Sequence, residues 1–518
     1  MQSQEHAGPI TKLASIVRGP LMYALETWSG AEFDRERKTS GTSFHTSGIY
    51  IFLIAFTSIY YLSNAPLLLG HYDLGWHLAA GDLIRQRGSI PFQDPWAFTL
   101  GDREWYNLSW LWDVIASIVV QYAGFSGLTL VTVGCGAVIV AYLASACLSS
   151  GASALAACIA VFSTCLLYPT FATPPNIYLA ASPNTATMVF SVIFYVHCLK
   201  KTRRFLLPAM MMLWANLHGG FVLGFFIIGL FGGVALLRRN WVDFRIYGLT
   251  GAACLAAILV NPLGLHIYDG VTATLGHFVQ GKITEWQPYS RNMTLPGCIP
   301  GIIYILVFLA LELRYAGSSS VPLETRLLTW LFLVLGFHQF RYMAFFFLFS
   351  TVAFARHVDR LLPGKLNIGE LQKSFWTAGI VGLCVLPLTF MHVRPALGLS
   401  DDLLSEQDAQ YLQANLSQAR LLNHWNVGGP LIFRTHGAVP IFIDGRAATA
   451  YPDSLLRDYF TLVKWDIDEN AWDMVIEKYK IDAVLWPKVH DVLRHFLVDE
   501  RGWKEKYVGS HESLYVKP

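Results

Sequence analysis

The feature that most constrains this chain is the run from Val114 to Leu199, which holds no Asp, Glu, Lys or Arg. A bilayer core accepts helices of roughly 20 apolar residues, and a run this long holds several. Residues 48–70, Phe205–Leu237 and Ile246–Tyr268 are equally uncharged, and shorter runs follow at 295–311, 327–340, 342–355 and 374–393. The pattern predicts an all-α polytopic membrane bundle of about ten or eleven transmembrane helices. Composition agrees: charged residues are 14% of the chain, against about 25% in soluble proteins.

Three regions follow. Residues 1–47 are polar and read as a cytoplasmic segment without a cleavable signal. Residues 48–394 form the bundle, with a large outside loop at 71–107. Residues 395–518 form a C-terminal soluble α/β domain.

Several functions are disfavoured at once. The 38 basic and 36 acidic residues nearly cancel, so no net field attracts nucleic acid. The absence of a Gly-Lys-Ser/Thr loop and of GxGxxG argues against a nucleotide-fuelled pump or a dinucleotide oxidoreductase. The eight cysteines lie in or beside apolar runs and form no CxxC, so they read as small buried hydrophobes, not as a disulfide framework or zinc site.

Basic clusters fix an expected orientation. They lie at Arg35, Arg37 and Lys38; at Lys200–Arg204; at Arg238, Arg239 and Arg245; and at Arg356, Arg360, Lys365 and Lys373. All are assigned to the cytoplasm. The stretch 205–237 then crosses twice, turning near Asn216–Gly220. Segments 71–107 and 261–297, the turn at His338–Arg341 and the tail fall on the extracytoplasmic side. Four segments near 108–122, 125–148, 152–168 and 184–199 give the wrong parity. One must be broken or re-entrant, with the proline-rich stretch Tyr168–Pro183 as the candidate.

This scheme gathers Asp73, His77, Asp94, Asn216, His218, Asn261, His266, Glu285, His338 and Arg341 at one face, as a shared cavity requires. In the loop, Asp73 and His77 are four residues apart and share a helix face. Trp76 stands between them. Leu74, Leu78, Ala80 and Ile84 are read as a stripe lying on the membrane, and Gly88 and Pro91 end that helix. A carboxylate there can act as a general base on a hydroxyl. In Trp214–Gly220, Asn216 and His218 interrupt apolar sequence, and His218 can bind a phosphate oxygen or transfer a proton. Glu285 beside Trp286 suits sugar recognition: the indole covers an apolar sugar face while the carboxylate accepts hydroxyl protons. Arg341, with His338 nearby, forks naturally onto phosphate. The bland readings are a turn acid, a turn histidine, an interface-anchoring tryptophan and a snorkelling arginine.

In the tail, Val439–Ile443, Ile481–Trp486 and Ser513–Val516 are expected strands, and Asp401–Gln418, Glu469–Lys480 and His490–Glu500 expected helices. Asp444-Gly445-Arg446 follows a strand, where α/β sheets bind ligands. A tight turn with a local ion pair is the plainer alternative.

These residues together resemble the GT-C superfamily of polytopic glycosyltransferases, of the bacterial kind related to protein mannosyltransferases and aminoarabinose transferases. The likeness rests on one span followed by a large outside loop bearing Asp73, on Trp76-His77, on Ile90–Pro95, and on many further spans with a soluble tail. Trp214–Gly220, Glu285-Trp286 and Asp444–Arg446 extend it. The resemblance implies a multi-pass enzyme of the bacterial inner membrane with an extracytoplasmic tail. It implies a polyprenyl-phosphate sugar donor and a glycan, lipid or protein acceptor. Asp73 matches the catalytic acid, and Asp94 is its rival. Arg341 and His218 would hold the leaving phosphate, and Glu285, Trp286 and His77 the sugar. The family's usual second acid close to the first is absent, so a divalent cation is left open. A transporter or flippase, or a non-catalytic envelope-assembly scaffold, are the competing expectations.

Overall fold

The computed structural model describes residues 47–65, 69, 72–170, 180–273, 277–292, 298–315, 321–362, 368–394, 397–399, 401, 404–463, 467–489 and 491–518. The segment 1–46, Lys365 and most of the Tyr168–Pro183 stretch lie outside the described residues.

Apolar helices dominate, as the uncharged runs require. Those of the bundle are Ser47–Ser63, Trp110–Ser149, Ala154–Thr170, Asn184–Lys200, Leu207–Leu217, Val222–Leu237, Trp241–Ile258, Ile299–Arg314, Leu323–His338, Met343–Leu361 and Ile368–Val393. Trp110–Ser149, Gly219–Leu237, Trp241–Ile258 and Lys373–Val393 are by themselves long and apolar enough to cross a membrane. Met343–Leu361 is the innermost, buried at every position from Met343 to Ala355.

The ends of these helices sort by charge. At one end Lys200 donates to Ser145 at 2.9 Å, Arg204 meets Asp243 at 3.0 Å and Arg238 meets Glu324 at 2.9 Å. Arg326 meets Glu312 there at 3.0 Å, and Ser153 N–H donates to Asp359 at 2.8 Å. At the opposite end Trp110 Nε1 donates to Asn216 at 3.1 Å and Asn216 donates to the Val260 carbonyl at 3.0 Å. The described basic clusters from Lys200 to Arg360 thus share one end of the bundle, and the loops share the other.

The parity problem resolves inside helix Trp110–Ser149. Its 40 residues would extend about 60 Å if straight, twice a hydrocarbon core. Gly124, at φ 63° and ψ −170°, breaks it. That backbone conformation is essentially restricted to glycine. Residues 110–123 then lie beside helix Leu74–Arg87, where Arg85 reaches Ser117 at 3.4 Å. Ala116 and Leu128 share a small core with Leu69, Leu74, Leu78 and Ala181, against which Phe433 of the tail packs. Only the part after Gly124 crosses between the ends. The odd segment is therefore 108–122.

The tail carries a four-stranded mixed sheet, ordered β1-β2-β4-β3, from Leu421–Asn423 (β1), Ala483–Pro487 (β2), Lys504–Val508 (β3) and Glu512–Val516 (β4). β1 and β2 are parallel, and the other pairs are antiparallel. Val439–Ile443, expected as a strand, makes only single bridges among the described residues, Ile441 pairing with Leu421 and with Ala97 of the 71–107 loop. The loop thus extends the sheet. Thr99 donates to the Phe442 carbonyl at 2.7 Å, and Arg103 to that of Ala450 at 3.0 Å. Trp76, Trp96, Leu100 and Trp105 of the loop share one hydrophobic core with Leu421, Ile441, Tyr451 and Leu485 of the tail. Loop and tail fold as one body.

The same body takes up the apolar stripe expected on the membrane. Leu74, Leu78, Ala80 and Ile84 are all buried, because the start of helix Trp110–Ser149 and tail helix Trp425–Arg434 cover helix Leu74–Arg87 from two sides.

Candidate active site between the bundle and the tail

Asp73 stands at the N-cap position of helix Leu74–Arg87 without a side-chain capping bond, and the helix ends at a left-handed Gly88 as its sequence predicts. The helix start is pressed against the tail. A Cβ on Gly75 would strike the Gly429 carbonyl, and one on Gly429 would strike that of Tyr72. A Cβ on Gly445 would overlap Asp73 Oδ1. The half-buried Asp73 carboxylate therefore rests against the backbone of the Asp444-Gly445-Arg446 turn. Two motifs far apart in sequence meet here.

The flanks of that turn form a buried ion cluster. Arg446 Nε donates to Asp444 Oδ1 and Oδ2, both at 2.9 Å, and Nη2 to Oδ2 at 2.7 Å. Nη1 donates to Asp94 Oδ1 at 2.6 Å. All three side chains are 0% exposed. Burial pushes the Asp444 carboxyl above its ordinary range, with Arg446 pulling it back. The guanidinium lies over Trp105, Trp96 and Tyr451, with centroids at 4.7, 5.1 and 5.7 Å. Asp94 also accepts from Ala97 N–H at 2.8 Å. Desolvated and already engaged, Asp94 offers an acceptor no oxygen in this arrangement. It clamps the loop to the tail.

One turn after Asp73, His77 is buried with its ring stacked on Trp76, centroids 3.5 Å apart. The charges of His77 and Arg341 both reach His218, which sits at the helix turn. Burial first, then Arg341 and His77, push the His218 imidazole down to about 3, so it is neutral at physiological pH. Its tautomer follows from its partners. Trp214 Nε1 donates to Thr187 Oγ1 at 3.0 Å, so that hydroxyl turns its proton toward His218 Nδ1 at 2.6 Å. Gly220 N–H also donates to Nδ1 at 3.3 Å. Nδ1 only accepts, so the proton sits on Nε2 as a donor.

Arg341 lies over the Trp286 ring at 4.5 Å from the centroid, and no carboxylate among the described residues pairs with it. Trp286 Nε1 in turn donates to Glu285 Oε1 at 2.8 Å. Arg341, Trp286 and Glu285 are thus in direct contact, and His218 lies within reach of the charges of Arg341 and His77. Asn216 lies apart: it is 6% exposed and fixes helix ends. His338 is exposed at the end of Leu323–His338. An open, largely apolar cavity of about 580 Å³ is lined by Asn216 and Asn261 together with Trp110, Leu213, Val260 and neighbours, and by none of the ionisable residues. An apolar depression supplies no reacting group, so the candidate residues for chemistry are Asp73, His77, His218, Arg341 and Glu285. Sequence reasoning missed Asp113, whose Oδ1 meets His77 Nδ1 at 2.6 Å.

No protein-family model matches the sequence, and no curated protein matches it. Solved structures do. The archaeal oligosaccharyltransferase AglB from Archaeoglobus fulgidus, in complex with an inhibitory peptide and a dolichol-phosphate, aligns with a TM-score of 0.53 at 9% identity, over 84% of this chain and 69% of that one. The Archaeoglobus fulgidus oligosaccharyltransferase in its apo form aligns with a TM-score of 0.57 at 11% identity, over 86% and 70%. The chain shares the fold of these oligosaccharyltransferases. Within that fold, the 71–107 loop and the tail meet, and Asp73 lies at their junction.

Proposed function

We propose that the chain is a membrane glycosyltransferase. It moves a sugar from a polyprenyl-phosphate carrier to an acceptor hydroxyl on a glycan, lipid or protein, at the extracytoplasmic face of a bacterial inner membrane. The observation that carries this reading is Asp73 resting under the Gly445 turn of the tail, with Arg341 and His77 close enough for their charges to act on His218, on the fold of an oligosaccharyltransferase. A neighbour of that fold bound to a dolichol-phosphate supports a lipid phosphate as donor. The gathering of basic residues at the opposite end supports the orientation.

Asp73 accepts the proton of the acceptor hydroxyl, whose oxygen attacks the anomeric carbon. The bond from that carbon to the phosphate oxygen breaks, and the lipid phosphate leaves with the electron pair. The Arg341 guanidinium and His218 Nε2–H receive the developing charge. Neutral His218 serves as a donor without needing to titrate. Trp286 offers the sugar the ring face that Arg341 leaves open, with Glu285 oriented beside it, and the tail closes over the acceptor. Among the described residues no three His, Cys, Asp or Glu side chains group to hold a metal ion, and no step here runs through one.

The test supplies purified protein with radiolabelled polyprenyl-phosphate sugars. Asp73→Asn should abolish transfer with an unchanged melting temperature, whereas Asp94→Asn should lower the melting temperature. Equal transfer by wild type and Asp73→Asn would reject the assignment.

A further inference from the structure

A buried carboxylate stands behind His77. Asp113 is 0% exposed in the first turn of helix Trp110–Ser149. Its Oδ2 accepts from Asn107 Nδ2 at 2.7 Å. Asn107 is itself buried, and its own Oδ1 accepts from Ser109 N–H at 3.0 Å. With Asp113 ionised, the carboxylate accepts at both oxygens, and His77 Nδ1–H is then the donor at 2.6 Å. The imidazole lone pair is then on Nε2. That atom has no partner among the described residues and is not sealed from solvent. Trp76 stacked at 3.5 Å and the edge of Trp112 at 5.0 Å hold the ring.

The surroundings give this pair a task. Asp73, one helical turn earlier on the same face, rests half-buried under the Gly445 turn. A carboxylate that takes a proton in such a place must lose it before it can act again. We propose that the His77–Asp113 pair is the proton exit of the transfer site: His77 Nε2 accepts the proton from the Asp73 carboxyl and passes it to water. The proton travels from the acceptor hydroxyl to Asp73, then to His77, then to water. The acceptor oxygen keeps its electron pair for the new bond to the anomeric carbon. Asp113 and Asn107 are positioning residues, since they act only through the imidazole. The proposal rests on the reading of this site as a glycosyltransferase centre.

Full-length wild type, His77→Gln, His77→Gly and Asp113→Asn are compared in nanodiscs with radiolabelled polyprenyl-phosphate sugars across pH. His77→Gln should lower kcat about 10²-fold or more, with the donor KM unchanged and the pH profile of kcat altered. Added imidazole should restore part of the turnover of His77→Gly. Asp113→Asn should lower kcat and alter that profile as well. Independently of turnover, ¹⁵N-histidine NMR of wild type, with His77→Gln for assignment, should show the Nδ1–H tautomer at His77. An Nε2–H tautomer overturns the proposal, as does a His77→Gln enzyme with the wild-type rate and pH profile. A wild-type protein that transfers no sugar defeats the reading of the site and the proton exit with it. Normal transfer with an indifferent His77→Gln defeats the proton exit alone.

Discussion

Replacing Arg446 by alanine tests the idea that loop and tail are one body clamped by charge. The guanidinium faces two carboxylates, Asp94 and Asp444, and all three side chains are fully buried. Its removal strands two charges without water, and breaking one such buried pair costs about 3–5 kcal/mol. The three aromatic faces around Arg446 lose their cation at the same time. For a folding unit of this size, each kcal/mol shifts the melting temperature by about 3 °C, so Arg446→Ala should melt about 10–15 °C lower. Tryptophan fluorescence in detergent is the direct assay, because Trp96 and Trp105 flank the missing group. The triple variant Asp94→Asn, Asp444→Asn, Arg446→Met should recover much of the loss, since it removes the desolvated charges altogether. An Arg446→Ala protein melting within 2 °C of wild type would refute the clamp.

Gly445→Ala should displace the Asp73 carboxylate, because the new methyl occupies the place of Oδ1; transfer should fall at least tenfold while the melting temperature holds, and unchanged transfer would show that Asp73 need not rest there. Glu512, pushed up to about 9 by burial and then by Asp408, ionises far more readily in the unfolded chain. Its neutral form therefore favours folding below about pH 4.5, and that contribution is lost as pH rises toward 9. Glu512→Gln should accordingly stabilise the tail at pH 8 by on the order of a few kcal/mol and do little at pH 4, as denaturant melts at the two values would show; equal effects at both would refute it. Gly124→Val forces a β-branched residue into a backbone conformation costing about 1–3 kcal/mol, and protease accessibility of a site engineered at residue 122 should increase as the bend relaxes.

The bundle and its two unlike ends were legible in the sequence because charge cannot sit in hydrocarbon, and clusters of basic residues mark one of the two ends. The bend at Gly124 was not, since both halves of that helix are equally apolar and hydropathy does not register a dihedral angle. Asp73, His218 and Arg341 stood out as polar groups where apolar sequence breaks. Asp113 did not, because it abuts the start of an uncharged run and its partner His77 is 36 residues away. Asp94 read as a rival to Asp73 for the catalytic role, with a turn acid as the plainer alternative, and it does accept from the backbone of Trp96 and Ala97. Its decisive partner, Arg446, is 352 residues away, a separation that local pattern cannot reveal. In the tail, β3 begins Lys504-Glu505-Lys506 and is mostly exposed, so it resembles a solvated loop. Val439–Ile443 has the apolar character of a strand, yet a single residue of the outside loop pairs where a full neighbour was expected.

The interleaving of loop and tail has a consequence for biosynthesis. The segment bearing Asp73 emerges early, but the glycine against which it rests is made more than three hundred residues later. β4, whose last residue is Val516, is an interior strand of the sheet that frames that glycine. A ribosome that has threaded every membrane helix still holds an incomplete loop–tail body, and a chain halted before residue 512 should reach the membrane with Asp73 uncovered.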